Sequence, residues 1–142
     1  MEWTYIVHID PTLKSGLKEN KLLVHHHLVV RAELAAPPND PTYITAWKKK
    51  LVESIGMKIL MGPYATYSNM EGNRGLTVAT VIETSHIVLH VWDEESPGLM
   101  QLDVYSCAEF DKNTIFAAIQ EFLPTKIDYK FLDRTGDFIL AS

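Results

Sequence analysis

Hydroxyl, imidazole and carboxylate groups crowd onto one β-patterned run, Glu83-Thr84-Ser85-His86-Ile87-Val88-Leu89-His90-Val91-Trp92-Asp93-Glu94. Read with period 2, His86, Val88, His90 and Trp92 share one face, and Ile87, Leu89 and Val91 share the other. A strand with two imidazoles and an indole on one side is either a solvated sheet face or the wall of a site. Metal binding is the weaker chemistry for it. His86 and His90 stand roughly 13 Å apart at about 3.3 Å per residue, too far to chelate one ion. Proton transfer fits better, because the chain's single cysteine, Cys107, follows on the next strand. A thiol beside histidines can be tuned to give up a proton near neutral pH.

The composition narrows the setting. The chain has 142 residues, 46% apolar and 22% charged, as expected of one ordinary globular domain spanning 1–142. A net charge of −5 argues against nucleic acid or an anionic membrane as partner. The short basic run Lys48-Lys49-Lys50 reads as a solvated helix face. One cysteine excludes an intrachain disulfide and a multi-cysteine metal site. No run reaches the roughly 18–20 apolar residues of a membrane span, and Met1-Glu2-Trp3 is not a basic region followed by an apolar stretch, so no secretory signal is expected. The expectation is a cytoplasmic protein. In the triplet His25-His26-His27, strand alternation turns His26 away from the other two, which weakens a metal reading there as well.

The elements that must position these residues follow from periodicity. Trp3 to His8 reads as a short strand, with turn signals at Asp10-Pro11 and Ser15-Gly16, and 22–34 is β-rich. After the Pro37–Pro41 break, Tyr43, Ile44, Trp47, Leu51, Val52 and Ile55 form a helical stripe that Gly56 ends. Strands are expected at 57–61, 76–82, 86–92 and 99–107, with Tyr64 and Tyr67 following the first of them. Asn113 caps a helix running through Leu123, and 126–132 is a last strand. Short loops between strands make the sheet mainly antiparallel, with both helices on one face. That is an α+β two-layer sandwich.

The ordered block Ser85-His86-Ile87-Val88-Leu89-His90-Val91-Trp92-Asp93-Glu94, then Leu102-Asp103-Val104-Tyr105-Ser106-Cys107, resembles the bacterial-type S-adenosylmethionine decarboxylase proenzyme family. That family's pattern is Glu-Ser-His, three hydrophobic residues and His-Thr-Trp-Pro-Glu, then a loop, Val-Asp, two hydrophobic residues and Thr-Cys-Gly. The resemblance covers about 28–123 and leaves residues 1–24 outside. It implies a self-processing enzyme of polyamine biosynthesis that makes the aminopropyl donor for spermidine. The motif serine attacks the carbonyl before it, an ester replaces the peptide bond, and β-elimination leaves a pyruvoyl cofactor at the new N-terminus. Here the cut falls between Thr84 and Ser85. The pyruvoyl carbonyl takes the amine of S-adenosylmethionine and serves as electron sink for loss of the carboxylate.

By position, the resemblance makes Ser85 the pyruvoyl precursor, His90 the processing base and Cys107 the proton donor to the decarboxylated carbon. Thr77 stands where a serine assists processing. Glu94 matches the glutamate that holds the ribose, and Tyr64 and Tyr67 match a spaced aromatic pair, with Tyr67 stacking on adenine. The family implies a homodimer with sites shared between protomers, and the strand spacing above leaves no metal expected. The chain departs from the pattern around the motif. Thr84 replaces Glu before the serine, Val91 and Asp93 replace Thr and Pro beside Trp92, and Ser106 and Ala108 replace Thr and Gly around Cys107. Singly, each residue also has an ordinary structural use: a buried cysteine, a wall histidine, core tyrosines, a loop carboxylate. The rival expectation is an unprocessed, non-catalytic relative that binds S-adenosylmethionine or regulates an active paralogue. A third keeps the fold with another chemistry on the same substrate.

Overall fold

The computed structural model describes residues 23–141, so the expected strand and turns between Trp3 and Gly16 lie outside the described residues. The elements are β1 (His26–Leu34), α1 (Pro41–Ser54), β2 (Ile59–Ser68), β3 (Gly75–Ile82), β4 (Ser85–Trp92), β5 (Gly98–Ser106), α2 (Lys112–Ile119), β6 (Pro124–Asp133) and β7 (Ile139–Ala141). The strands form one seven-stranded sheet in the order β2-β3-β4-β5-β1-β6-β7, every neighbouring pair antiparallel. Inward residues of the central strands, among them Leu28, Val30, Ile87, Leu89, Leu102 and Val104, meet Ile44, Trp47 and Leu51 of α1 and Ile115 and Ile119 of α2. This is the α+β sandwich expected from the pattern. The face turned away from the helices carries His27, Arg31, Thr77, His86, His90, Asp103 and Tyr105, none of which is fully buried.

Local chemistry accounts for the helix ends. The Asp40 carboxylate accepts from the Thr42 N–H at 2.9 Å, and Pro41 occupies the first turn, where its missing N–H costs nothing. Gly56, at φ +72°, closes α1 as expected. Three expectations need correction. The cap of α2 is Asp111, whose carboxylate accepts from the Asn113 N–H at 2.8 Å, and the α-helix ends at Ile119 before a 3₁₀ turn, Gln120–Phe122. The strand expected at 57–61 runs on to Ser68 and takes in both tyrosines, because pairing with β3 overrides the Gly-Pro signal. Lys48 is not solvated. It falls on the i, i+3, i+4, i+7 stripe with Ile44, Trp47, Leu51 and Val52, and it is fully buried, whereas Lys49 and Lys50 are exposed.

Candidate active site

Strand β4 carries the motif residues and puts them at its two ends. At the first end, Ser85 sits at φ +145°, a conformation that side-chain-bearing residues avoid at a cost of about 1–3 kcal/mol. Register places it opposite Ile82 of β3 and Ser106 of β5. The carbonyl just before it, that of Thr84, accepts a hydrogen bond from the backbone N–H of Cys107 at 2.8 Å. That donor is aimed at the oxygen where charge would build if a nucleophile attacked the Thr84 carbonyl carbon. The Thr84 side chain is held too. The Ala108 N–H donates to the Ser106 hydroxyl (3.0 Å), which donates to the Thr84 hydroxyl (3.0 Å), which donates to Met57 Sδ (3.2 Å). Ser106 is fully buried and Cys107 half-buried, so this end of the strand is shielded yet reachable.

At the other end, Thr77 of β3 and His90 of β4 are register partners, and Thr77 Oγ1 lies 3.0 Å from His90 Nδ1. The His90 and Trp92 rings are 5.8 Å apart at 31°, and Trp92 Nε1 donates to Asn73 Oδ1 at 2.8 Å. A cavity of about 290 Å³ opens here, lined by Ser68, Asn73, Leu76, Thr77, His90 and Trp92. Gly75 shapes its floor: at φ +149°, any Cβ there would overlap the Val91 carbonyl. Close by, the Tyr67 hydroxyl donates to both oxygens of Asp93 at 2.9 Å, and this hydrogen bond holds the phenol above its ordinary pKa. The Tyr67 ring packs against the core, while Tyr64 is 62% exposed. Glu94 accepts from the Gly72 N–H at 3.0 Å and lies 3.5 Å from Arg74, tying down the loop before β3.

The fold therefore joins Ser85 to Cys107 and Thr77 to His90, but it keeps the two pairs apart. Five residues of extended strand separate Ser85 from His90, roughly 16 Å. Sequence reasoning missed the Ser106 relay, and it assigned no role to a second group on the open face, where Asp103 meets both His27 and His86. Both depend on which strands pair.

The family model described as S-adenosylmethionine decarboxylase matches residues 26–135, the greater part of the chain. The chain belongs to the S-adenosylmethionine decarboxylase family. Among relatives, the S-adenosylmethionine decarboxylase proenzyme of Pyrobaculum arsenaticum is 33% identical over 99 residues, covering 68% of this chain and 74% of that protein. The proenzyme of Pyrobaculum islandicum is 38% identical over the same shares of the two chains. The crystal structure of the adenosylmethionine decarboxylase of Aquifex aeolicus superposes with a TM-score of 0.59 at 19% identity, covering 77% of this chain and 88% of that one. At that identity the likeness speaks for the fold alone. No helix among the described residues is long and apolar enough to cross a membrane.

Proposed function

We propose that this decarboxylase-family chain processes itself at Thr84-Ser85 and then decarboxylates S-adenosylmethionine in the cytoplasm, supplying the aminopropyl donor for spermidine. The observation that carries the reading is a serine at φ +145° directly after a carbonyl held by the Cys107 N–H at 2.8 Å. Ser85 Oγ would attack the Thr84 carbonyl carbon, and relief of the strained backbone would favour transfer of the acyl group from nitrogen to oxygen. Loss of the Ser85 Cα proton would then expel the Thr84 carboxylate, and water would release the former Ser85 nitrogen as ammonia. A pyruvoyl group made in this way supplies a carbonyl electron sink for loss of the substrate carboxylate. Cys107, tied to the same segment through its backbone N–H, would return a proton to the carbon that loses the carboxylate. Glu94, Tyr67 and Tyr64 are proposed as the ribose and adenine contacts.

His90, hydrogen-bonded to Thr77, is the base for processing, but not toward Ser85 of its own chain. The separation of roughly 16 Å favours a homodimer in which Ser85 and Cys107 of one protomer meet Thr77 and His90 of the other. Incubating the purified chain, weighing it intact and assaying carbon dioxide from carboxyl-labelled S-adenosylmethionine tests the whole reading. Fragments 1–84 and 85–142 with release of labelled gas are expected. A chain that stays whole and releases none would overturn it and leave a non-catalytic binder.

The hydroxyl relay gives a finer test. Ser106→Ala strips the Ala108 N–H of its partner and leaves the Thr84 hydroxyl only its contact with Met57. Cleavage is expected to slow roughly ten-fold, at a stability cost of about 1–2 kcal/mol. A time course by denaturing gel, read beside a thermal melt, separates the two effects.

A further inference from the structure

The function proposed above leaves unused the polar network on the open face of the sheet, which converges on Asp103. Arg134 Nη1 lies 3.3 Å from His27 Nδ1; the guanidinium can only donate, so His27 carries its own proton on Nε2. That proton is given to Asp103 Oδ1 at 2.8 Å. The same carboxylate oxygen stands 3.4 Å from Nε2 of His86. Tyr105 backs the group, its ring 5.5 Å from that of His27 and 5.7 Å from that of His86, with the Arg134 guanidinium 4.6 Å from its ring centre. The Tyr105 hydroxyl pairs with His25 Nδ1 at 3.0 Å. Residues from β1, β5 and the segment after β6 thus converge beside one half-exposed imidazole, that of the residue following Ser85.

We propose that Asp103 is a positioning residue for the cleavage segment, clamping His86 so that Ser85 is held in its strained conformation. A backbone at φ +145° persists only where its neighbours are over-determined. On the Thr84 side the Ser106 relay and the Cys107 N–H supply that constraint. On the opposite side of Ser85, His86 has the apolar Val81 as its register partner on β3 and the Tyr105 ring on β5, and Asp103 supplies its charged contact. Asp103 itself is steadied by His27 and, through it, by Arg134. The inference rests on the self-processing reading, and it adds a second anchor to that site.

The test compares full-length wild type, Asp103→Ala, Asp103→Asn and Asp103→Glu. Appearance of fragment 85–142 is followed by intact mass, the fold is checked by thermal melting, and averaging of the His86 side-chain rotamer is measured by NMR. Asp103→Ala is expected to slow cleavage about ten-fold or more, with the melting midpoint nearly unchanged and His86 rotamer averaging increased. Asp103→Glu, which keeps the carboxylate, recovers part of the rate, and Asp103→Asn serves if the alanine chain fails to fold. Cleavage of the well-folded Asp103 variants at the wild-type rate would sink the proposal. If wild type itself stays whole, the self-processing reading fails on its own account. The clamp is then decided by NMR, where an unchanged His86 rotamer in Asp103→Asn overturns it and increased averaging supports it.

Discussion

A Ser85→Ala chain is expected to remain one full-length species indefinitely, because it lacks the oxygen that takes the acyl group from the Ser85 nitrogen. His90→Ala alone is also expected to stay whole, or nearly so, for a different reason: its Ser85 is intact but no base serves it. Co-expression of the two variants is then the informative case. Thr77 and His90 are hydrogen-bonded at 3.0 Å, roughly 16 Å along the strand from Ser85, so in the proposed homodimer each chain would hold half of a processing site. On the proposed arrangement a mixed dimer would contain one complete site, formed by Ser85 of the His90→Ala chain and His90 of the Ser85→Ala chain. Cleavage should reappear in up to about half of the His90→Ala chains, the share paired with the other variant at equal mixing. Intact mass identifies which chain is cut. If wild type is cut and the mixture is not, the site does not cross between protomers.

The second large effect concerns stability. Lys48 is fully buried in the layer between α1 and the sheet, and among the described residues its ammonium meets the Val78 carbonyl, at 3.5 Å, as its hydrogen-bond partner. Burial lowers its pKa from 10.5 to about 7. Thr80, two residues further along β3, also buries a hydroxyl without a partner among the described residues. Between pH 7 and 10.5 the unfolded chain therefore binds more protons at this lysine than the folded chain does, so stability rises with pH across that window. Below pH 7 both states are protonated and the penalty is constant and greatest. Lys48→Met keeps the unbranched stem and removes the charge. It is expected to stabilise the chain by on the order of 3 kcal/mol at about pH 6, with the gain shrinking toward about pH 10. Urea unfolding of both chains in the Ser85→Ala background, at about pH 6 and about pH 9.5, checks this. A gain that does not depend on pH would show that the lysine is not buried as a charge.

The same residue marks a limit of reading charge as exposure. Lys48-Lys49-Lys50 has the composition of a solvated face, yet helical spacing puts Lys48 on the apolar stripe, and its long aliphatic stem lets it be packed there. Spacing was the better guide, and it was in the sequence. Tyr67 is a different kind of case. Its ring packs against the core and its hydroxyl is tied to Asp93, a partner 26 residues away that no periodicity identifies. Asp111 rather than Asn113 caps α2: the helix begins at Lys112, and the Asp111 carboxylate accepts from the Asn113 N–H in its first turn.

The sequence by itself determined the α+β layering, since period-2 and period-3.6 apolar spacing dictate which side of each element is buried. It also determined the motif from Ser85 to Cys107, whose residue types and order carry the family. Tertiary structure decided how those residues group. Pairing of β4 with β5 brings the Cys107 N–H to the Thr84 carbonyl, and pairing of β3 with β4 brings Thr77 to His90. Insertion of β1 between β5 and β6 delivers His27 to Asp103 and brings Arg134 to His27. An extended strand keeps residues five positions apart from ever meeting, so the motif that looks continuous in sequence is two separate groups in space.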